Sequence, residues 1–275
     1  MGREVDEGEG WYEHFGFRYG GWVKSKGWVP QQHGAWAMMI VPFFLGLIEA
    51  TRNDAVGWGH ATLFPFWMLG YFTFNAASGW LKAAPRQKSK YVRPLVIYAT
   101  LSAVFGVATL LIVGFRPLAW VLVFLPLVAP ALWLAGQRKE RATIGGLITV
   151  AAASLMVPVS RYLNPSSPAD WSEIAAMTAV VFGYFFGTVL FVKTNIRERG
   201  HRGYLVVSIA HHALLLLATT VLSMAGLVAW WWVPIMLFVL VRTIAVPPMK
   251  LKPMPLGMIE VGVCTAILLC ALLIG

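Results

Sequence analysis

The stretch IAAMTAVVFGYFFGTVLF, residues 174–191, runs eighteen residues without a charge and then meets Lys193, Arg197, Arg199 and Arg202. A helix needs about 20 apolar residues to cross a hydrocarbon layer of about 30 Å, so this run reads as a membrane span closed by a basic loop. Working outward from it, eight further runs have the same character: Ala35 to Ala50, Gly59 to Leu81, Pro94 to Gly114, Leu118 to Gly136, Thr143 to Ser160, Tyr204 to Leu227, Ala229 to Val246, and Leu256 to Ile274. They predict an all-α, polytopic transmembrane helical bundle of about nine spans. The first run is short, and the seventh and eighth are divided only near Met224-Ala225-Gly226, so seven or eight is the alternative count. Continuous apolarity argues against a barrel, whose strands alternate over about ten residues.

Composition supports this reading. Of 275 residues 58% are hydrophobic and 12% charged, against roughly 25% charged in soluble domains. Two cysteines exclude a disulfide-stapled scaffold. Cys264 and Cys270 lie six positions apart on one helix, too far to bridge, and read as packing residues. The net charge of +10 has two explanations. Nucleic-acid binding would need a basic face with stacking or base-reading groups, and no such motif is present. Topology explains it better. With the amino terminus cytoplasmic and the carboxyl terminus outside, 19 of the 22 Lys and Arg residues fall on inner segments, leaving Arg52, Arg116 and Arg161 outside. That is the imbalance expected of a multi-pass membrane protein. Residues 1–27 read as a cytoplasmic or interfacial segment, acidic at Glu4 to Glu9 and then rich in Trp, Tyr and Gly, and residues 28–275 as one transmembrane domain. Pro247-Pro248 and Pro253-x-Pro255 predict an extended link before the last helix.

Polar groups on a span are costly and therefore candidates for function. His33 opens the first helix. Asn75, Ser78 and Lys82 share one face near the inner end of the second, and Lys193 with Arg197, and Asn195 with Arg199, repeat the pattern at the inner end of the sixth. Glu260 lies about one turn inside the ninth, with Lys82, Arg197 or His33 as its expected partner. All face the cytoplasmic half, where His33, Asn75, Lys82, Lys193, Asn195, Arg197 and Glu260 would suit a phosphate or carboxylate group whose apolar tail lies among the helices. The plainer reading is that the lysines and arginines meet anionic lipid headgroups. His211 and His212 point about 100° apart and lack a matching histidine on another span, which disfavours haem; one of them is expected to make an interhelical hydrogen bond. His60 is placed at the outer edge, with exposure as its explanation. Gly70-Tyr71-Phe72 recurs as Gly183-Tyr184-Phe185, each followed ten to twelve residues later by a lysine, which suggests two similar bundles sharing one mouth.

At Pro30-Gln31-Gln32-His33-Gly34-Ala35-Trp36-Ala37-Met38 the chain resembles the YwiC-like family of bacterial membrane proteins. Lys193, Ile196-Arg197-Glu198-Arg199-Gly200, Ser208 and His212 resemble that family's second signature, and Gln31 stands where a basic residue is expected. The likeness runs from about Trp28 to the last span. It implies a membrane address without a particular reaction. More distantly, nine spans with inner loops after the second and sixth resemble the UbiA-type prenyltransferases. Asn75, Arg86 and Arg93-Pro94 resemble their first motif, and Lys193-x-Asn195 their second. That resemblance implies magnesium held by Asp-rich motifs, but Ala76, Ser78, Gly79 and Lys82 occupy the first region and Ile196, Arg197 and Arg199 the second, which disfavours magnesium.

Three functions remain open on the sequence. The first is a binding or transport protein for an amphipathic anion, with membrane lipid or an isoprenoid or quinone-type molecule as partner. The second is a UbiA-like transferase with altered anion chemistry. The third is a structural or assembly partner of a respiratory membrane complex.

Overall fold

A computed structural model describes residues 27–30, 33–138, 143–164 and 171–274, with the side chains of His33 and Gly34 outside that description. Among the described residues the regular structure is helical: α1 (His33–Arg52), α2 (Trp58–Lys82), α3 (Ser89–Val113), α4 (Ala119–Gly136), α5 (Thr143–Ser154), α6 (Met156–Arg161), α7 (Trp171–Ile196), α8 (Arg202–Met224), α9 (Trp232–Ala245) and α10 (Pro253–Leu273). The helices α5 and α6 are one crossing interrupted at Leu155. Pro158 causes the break, since it has no N–H to offer the carbonyl of Ser154. Among the described residues nine helical segments result.

Seven of them are long and apolar enough to span a membrane on length and composition alone. Of the other two, α2 has 25 residues, but tryptophan, tyrosine and small polar residues dilute its hydropathy. With 14 residues α9 measures about 21 Å, and turns at both ends extend its reach. The break before α9 is a helix stop. Gly226 takes φ +73°, and the Leu227 N–H returns to the Leu222 carbonyl at 2.9 Å, a Schellman closure that L side chains disfavour. The link expected to be extended before α10 instead coils into a 3-10 turn at Pro247–Met249, with Lys250 left-handed at φ 49°. That tight turn sets α10 back alongside α9.

Polar contacts between segment ends fit the alternating threading. At the end where α1 finishes, Asn164 beside α6 donates to the Ala55 carbonyl, His60 of α2 meets the Ser160 carbonyl at 2.9 Å, and Arg52 reaches the Ala271 carbonyl of α10. At the other end Arg138 donates to the Lys82 carbonyl at 3.1 Å, Lys193 to Thr143 at 2.9 Å, and Arg199 to the Leu251 carbonyl at 2.7 Å. Each of these contacts joins ends assigned to one side. The second set marks the basic end. His60 is thus not explained by exposure: it is buried and ties α2 to α6.

At the centre stands α7, whose apolar stretch is 67% buried against 17% for α3 and α4. Its core neighbours include Val41, Leu45, Val150, Val157, Trp232, Met236 and Ile267, drawn from α1, α5, α6, α9 and α10. The peripheral helices turn Val104, Val107, Leu111 and Leu122 outward. In water these would be a liability, and in lipid they meet a solvent of their own polarity. Close packing of α1 on α6 rests on Gly46, where an added Cβ would lie 2.2 Å from the Val157 carbonyl oxygen and 2.8 Å from the Ser160 Cβ. Gly46→Ala should cost about 1–3 kcal/mol by overpacking. Gly257→Ala, which meets nothing within 4 Å, should leave thermal unfolding of the purified protein unchanged.

Candidate functional site

A cavity of about 440 Å³ opens among α1, α2, α4, α5 and α7 at the basic end. Its α4 and α5 lining is small: Ala131 and Ala135 on α4, and Gly145, Gly146 and Ala153 on α5. On α2 the residues Tyr71, Asn75, Ser78 and Lys82 recur every three or four positions, so one helical face lines one wall. The matching wall is Thr188, Val189, Val192, Lys193 and Ile196 of α7, with Arg197 just past its end. Asn75, Lys82, Lys193 and Arg197, placed by sequence spacing on two distant helices, therefore line one space.

The wall has a graded character. Tyr71, Met38, Met39 and Val189 form an apolar interior, while the cationic side chains sit toward the helix ends. Lys193 is half-buried and steadied by donating to Thr143 at 2.9 Å, and Arg197 is exposed at the rim. The Ser78 hydroxyl, on a residue 5% exposed, has no hydrogen-bond partner among the described residues. A buried hydroxyl at such a wall is a donor waiting for an acceptor. The volume falls within the usual range for small-ligand sites, about 300–1,000 Å³.

Two of the residues named from sequence stand elsewhere. Asn195 is 2% exposed and donates to the Phe191 carbonyl of its own helix at 2.8 Å, on the face turned away from the cavity. Glu260 is 7% exposed and pairs with Arg242 of α9, not with Lys82, Arg197 or His33. The side chain of His33 lies outside the described residues, although α1 begins there and its Ala35 and Met38 line the cavity.

The Arg242–Glu260 pair is the polar centre of the α7, α9 and α10 packing. Glu260 Oε2 accepts from the Thr188 hydroxyl at 2.9 Å and from the Tyr184 hydroxyl at 3.3 Å. Tyr184 also meets the Cys264 sulfur at 3.4 Å, so Cys264 is a polar neighbour as well as a packing residue. The Arg242 guanidinium lies 4.2 Å over the Phe191 ring, while its Nε and Nη2 find no hydrogen-bond acceptor among the described residues. Sequence reading missed Arg242 by counting it as a loop charge. It sits inside the eighth apolar run, four residues before Val246, and that depth was the available signal.

Of the two neighbouring histidines, His211 makes the expected interhelical bond, its Nε2 lying 2.8 Å from the Gly183 carbonyl of α7. His212, 1% exposed, turns Nδ1 to the Ser208 carbonyl at 2.7 Å and holds Nε2 against Gly187 with no partner. Among the described residues no three His, Cys, Asp or Glu side chains are grouped to hold a metal ion. The two Gly-Tyr-Phe segments do not play equal parts: Tyr71 faces the cavity and Tyr184 the ion pair, although the lysines that follow them share one cavity wall.

The chain has recognisable relatives. The family model described as YwiC-like protein matches residues 29–161. A Bacillus subtilis (strain 168) protein described as uncharacterized protein YwiC is 31% identical over 193 residues, covering 69% of this chain and 76% of the relative. A Haemophilus influenzae protein, described only as an uncharacterized protein, is 28% identical over 251 residues, covering 90% of this chain and 98% of the relative. No solved structure matches the chain.

Removing one partner of a buried ion pair leaves a charge uncompensated, at a cost of about 3–5 kcal/mol, whereas removing both together costs far less. Arg242→Met and Glu260→Leu should each lower the midpoint of thermal unfolding sharply, and the double variant should recover most of the loss. Additive losses in the double variant would show that the two side chains do not stabilise each other.

Proposed function

The chain belongs to the YwiC-like family of multi-pass membrane proteins, and from that premise we propose that it binds an amphipathic anion in the cavity of its basic end. The observation that carries this is the convergence of Asn75, Lys82, Lys193 and Arg197, from α2 and around the end of α7, on one space with an apolar interior. Charge-assisted hydrogen bonds from the cations suit a phosphate or carboxylate, and the apolar wall suits a lipid or isoprenoid tail. The unpartnered Ser78 hydroxyl offers a further donor. A purely structural basic rim would need neither that buried donor nor the hollow. The positive-inside rule puts this end at the cytoplasm of a bacterial cell, with the amino terminus inside and the carboxyl terminus outside.

The test uses purified protein in nanodiscs of zwitterionic lipid and compares three probes: farnesyl phosphate, farnesol and inorganic phosphate. Farnesyl phosphate should bind best, because it alone satisfies both walls, and a chelator should not change its affinity. Lys193→Ala and Arg197→Ala should each weaken it about tenfold, the equivalent of one charge-assisted hydrogen bond. Equal binding of farnesol and farnesyl phosphate would contradict the proposal, as would unchanged affinity in the Lys82→Ala, Lys193→Ala, Arg197→Ala triple variant.

A further inference from the structure

One residue belongs to both polar regions of the bundle. Thr188 lines the cavity, and its hydroxyl donates to Glu260 Oε2 at 2.9 Å. One residue therefore separates the cavity from the ion pair. We propose that the cavity and Glu260 form a proton-linked pair of sites, in which binding of an anion takes up a proton at the Glu260 carboxylate. The inference rests on the anion-binding reading and adds its coupling.

Charge couples the two sites. At rest the buried carboxylate balances Arg242, and both are removed from water. An anion entering the cavity adds a second negative charge on the far side of Thr188, in surroundings where charges interact far more strongly than in water. Protonation of Glu260 relieves that repulsion, and the anion then takes over as the nearest compensation for the positive field of Arg242. The step balances simply. A proton from cavity water joins the Thr188 oxygen as the hydroxyl passes its own proton to Oε2, so one O–H bond forms on the carboxyl group and the hydroxyl is restored.

The other groups around Glu260 limit the alternatives. From α7 it meets Tyr184 and Thr188, from α9 Arg242, and on its own helix Cys264 lies on the same tyrosine. From α8, His212 lies within the electrostatic reach of Arg242 and keeps Nε2 unpartnered. On α1 the charged Glu49 and Arg52 stand at the opposite end, Arg52 touching Ala271, about 16 Å along α10 from Glu260. Glu260 is the carboxylate in direct contact with the cavity wall.

A short-chain phosphatidylglycerol is the suitable probe, because its phosphodiester keeps one negative charge around neutral pH. Calorimetric titration of the full chain in nanodiscs, in two buffers of different ionisation enthalpy, counts the protons exchanged on binding. The expected result is an uptake of roughly 0.5 to 1 proton per probe, with affinity falling up to about tenfold per pH unit as pH rises. Glu260→Gln should abolish the uptake. Thr188→Val, which leaves the ion pair in place but removes a hydrogen bond from the ionised carboxylate, should move the pH range of the uptake upward, so the assignment does not depend on Glu260→Gln folding. Binding without proton uptake, or uptake unchanged in Glu260→Gln, would overturn the coupling while leaving the anion site standing. No binding at any pH would overturn both.

Discussion

A charge in the interior of a membrane protein must reach an end of its helix or find a partner, and the Arg242–Glu260 pair is where this chain takes the second course. The pair forms because the chain turns back tightly after α9, through the 3-10 turn and the left-handed Lys250, and brings two antiparallel helices into register. It is held against α7 by Thr188 and Tyr184 and covered by the Phe191 ring. The central helix α7 thus has a polar seam on one side. On its other side the same helix turns Val189, Val192 and Lys193 into the cavity.

That division explains how one helix serves both stability and ligand contact. On the α8 face Gly183 and Gly187 allow close approach: an added Cβ would lie 2.5 Å from Leu215 Cδ1 at the first and 2.7 Å from His212 Nε2 at the second. On the α5 face Gly146 takes the Val189 side chain, an added Cβ lying 3.1 Å from its Cγ1, and the cavity opens beside that contact. The opposite end of the bundle has its own cavity of about 380 Å³, lined by Glu49, Arg52, Glu173 and the tryptophans 230–232, and α7 passes from one to the other through the buried Val180, Val181, Tyr184 and Phe185.

Much of this was legible in the sequence. Apolar length and the placement of basic residues gave the nine helical segments, because both are imposed by the bilayer and neither depends on packing detail. The α2 and α7 faces were legible because three- and four-residue spacing places side chains on one stripe. Asn195 could have been separated from Lys193 by the same rule, since two residues apart on a helix point about 200° apart. Arg242 was hidden by its usefulness to the charge count: a basic residue near a span end satisfies the positive-inside rule whether it points to water or to a partner. The role of His60 was hidden because only tertiary packing brings the Ser160 carbonyl to its ring. The hollow itself depends on five helices meeting, which no single stretch of sequence reports.

The central claim is that positions far apart in the chain line one chamber open at the basic end. It is tested most directly by thiol labelling in a chain whose own cysteines have been replaced. Asn75→Cys, Thr149→Cys and Lys193→Cys should all react with a membrane-impermeant reagent from the same side, and farnesyl phosphate should slow all three together. Met258→Cys, on an outward face of α10, should not be protected. Labelling of the three positions from opposite sides, or protection of one without the others, would contradict the account.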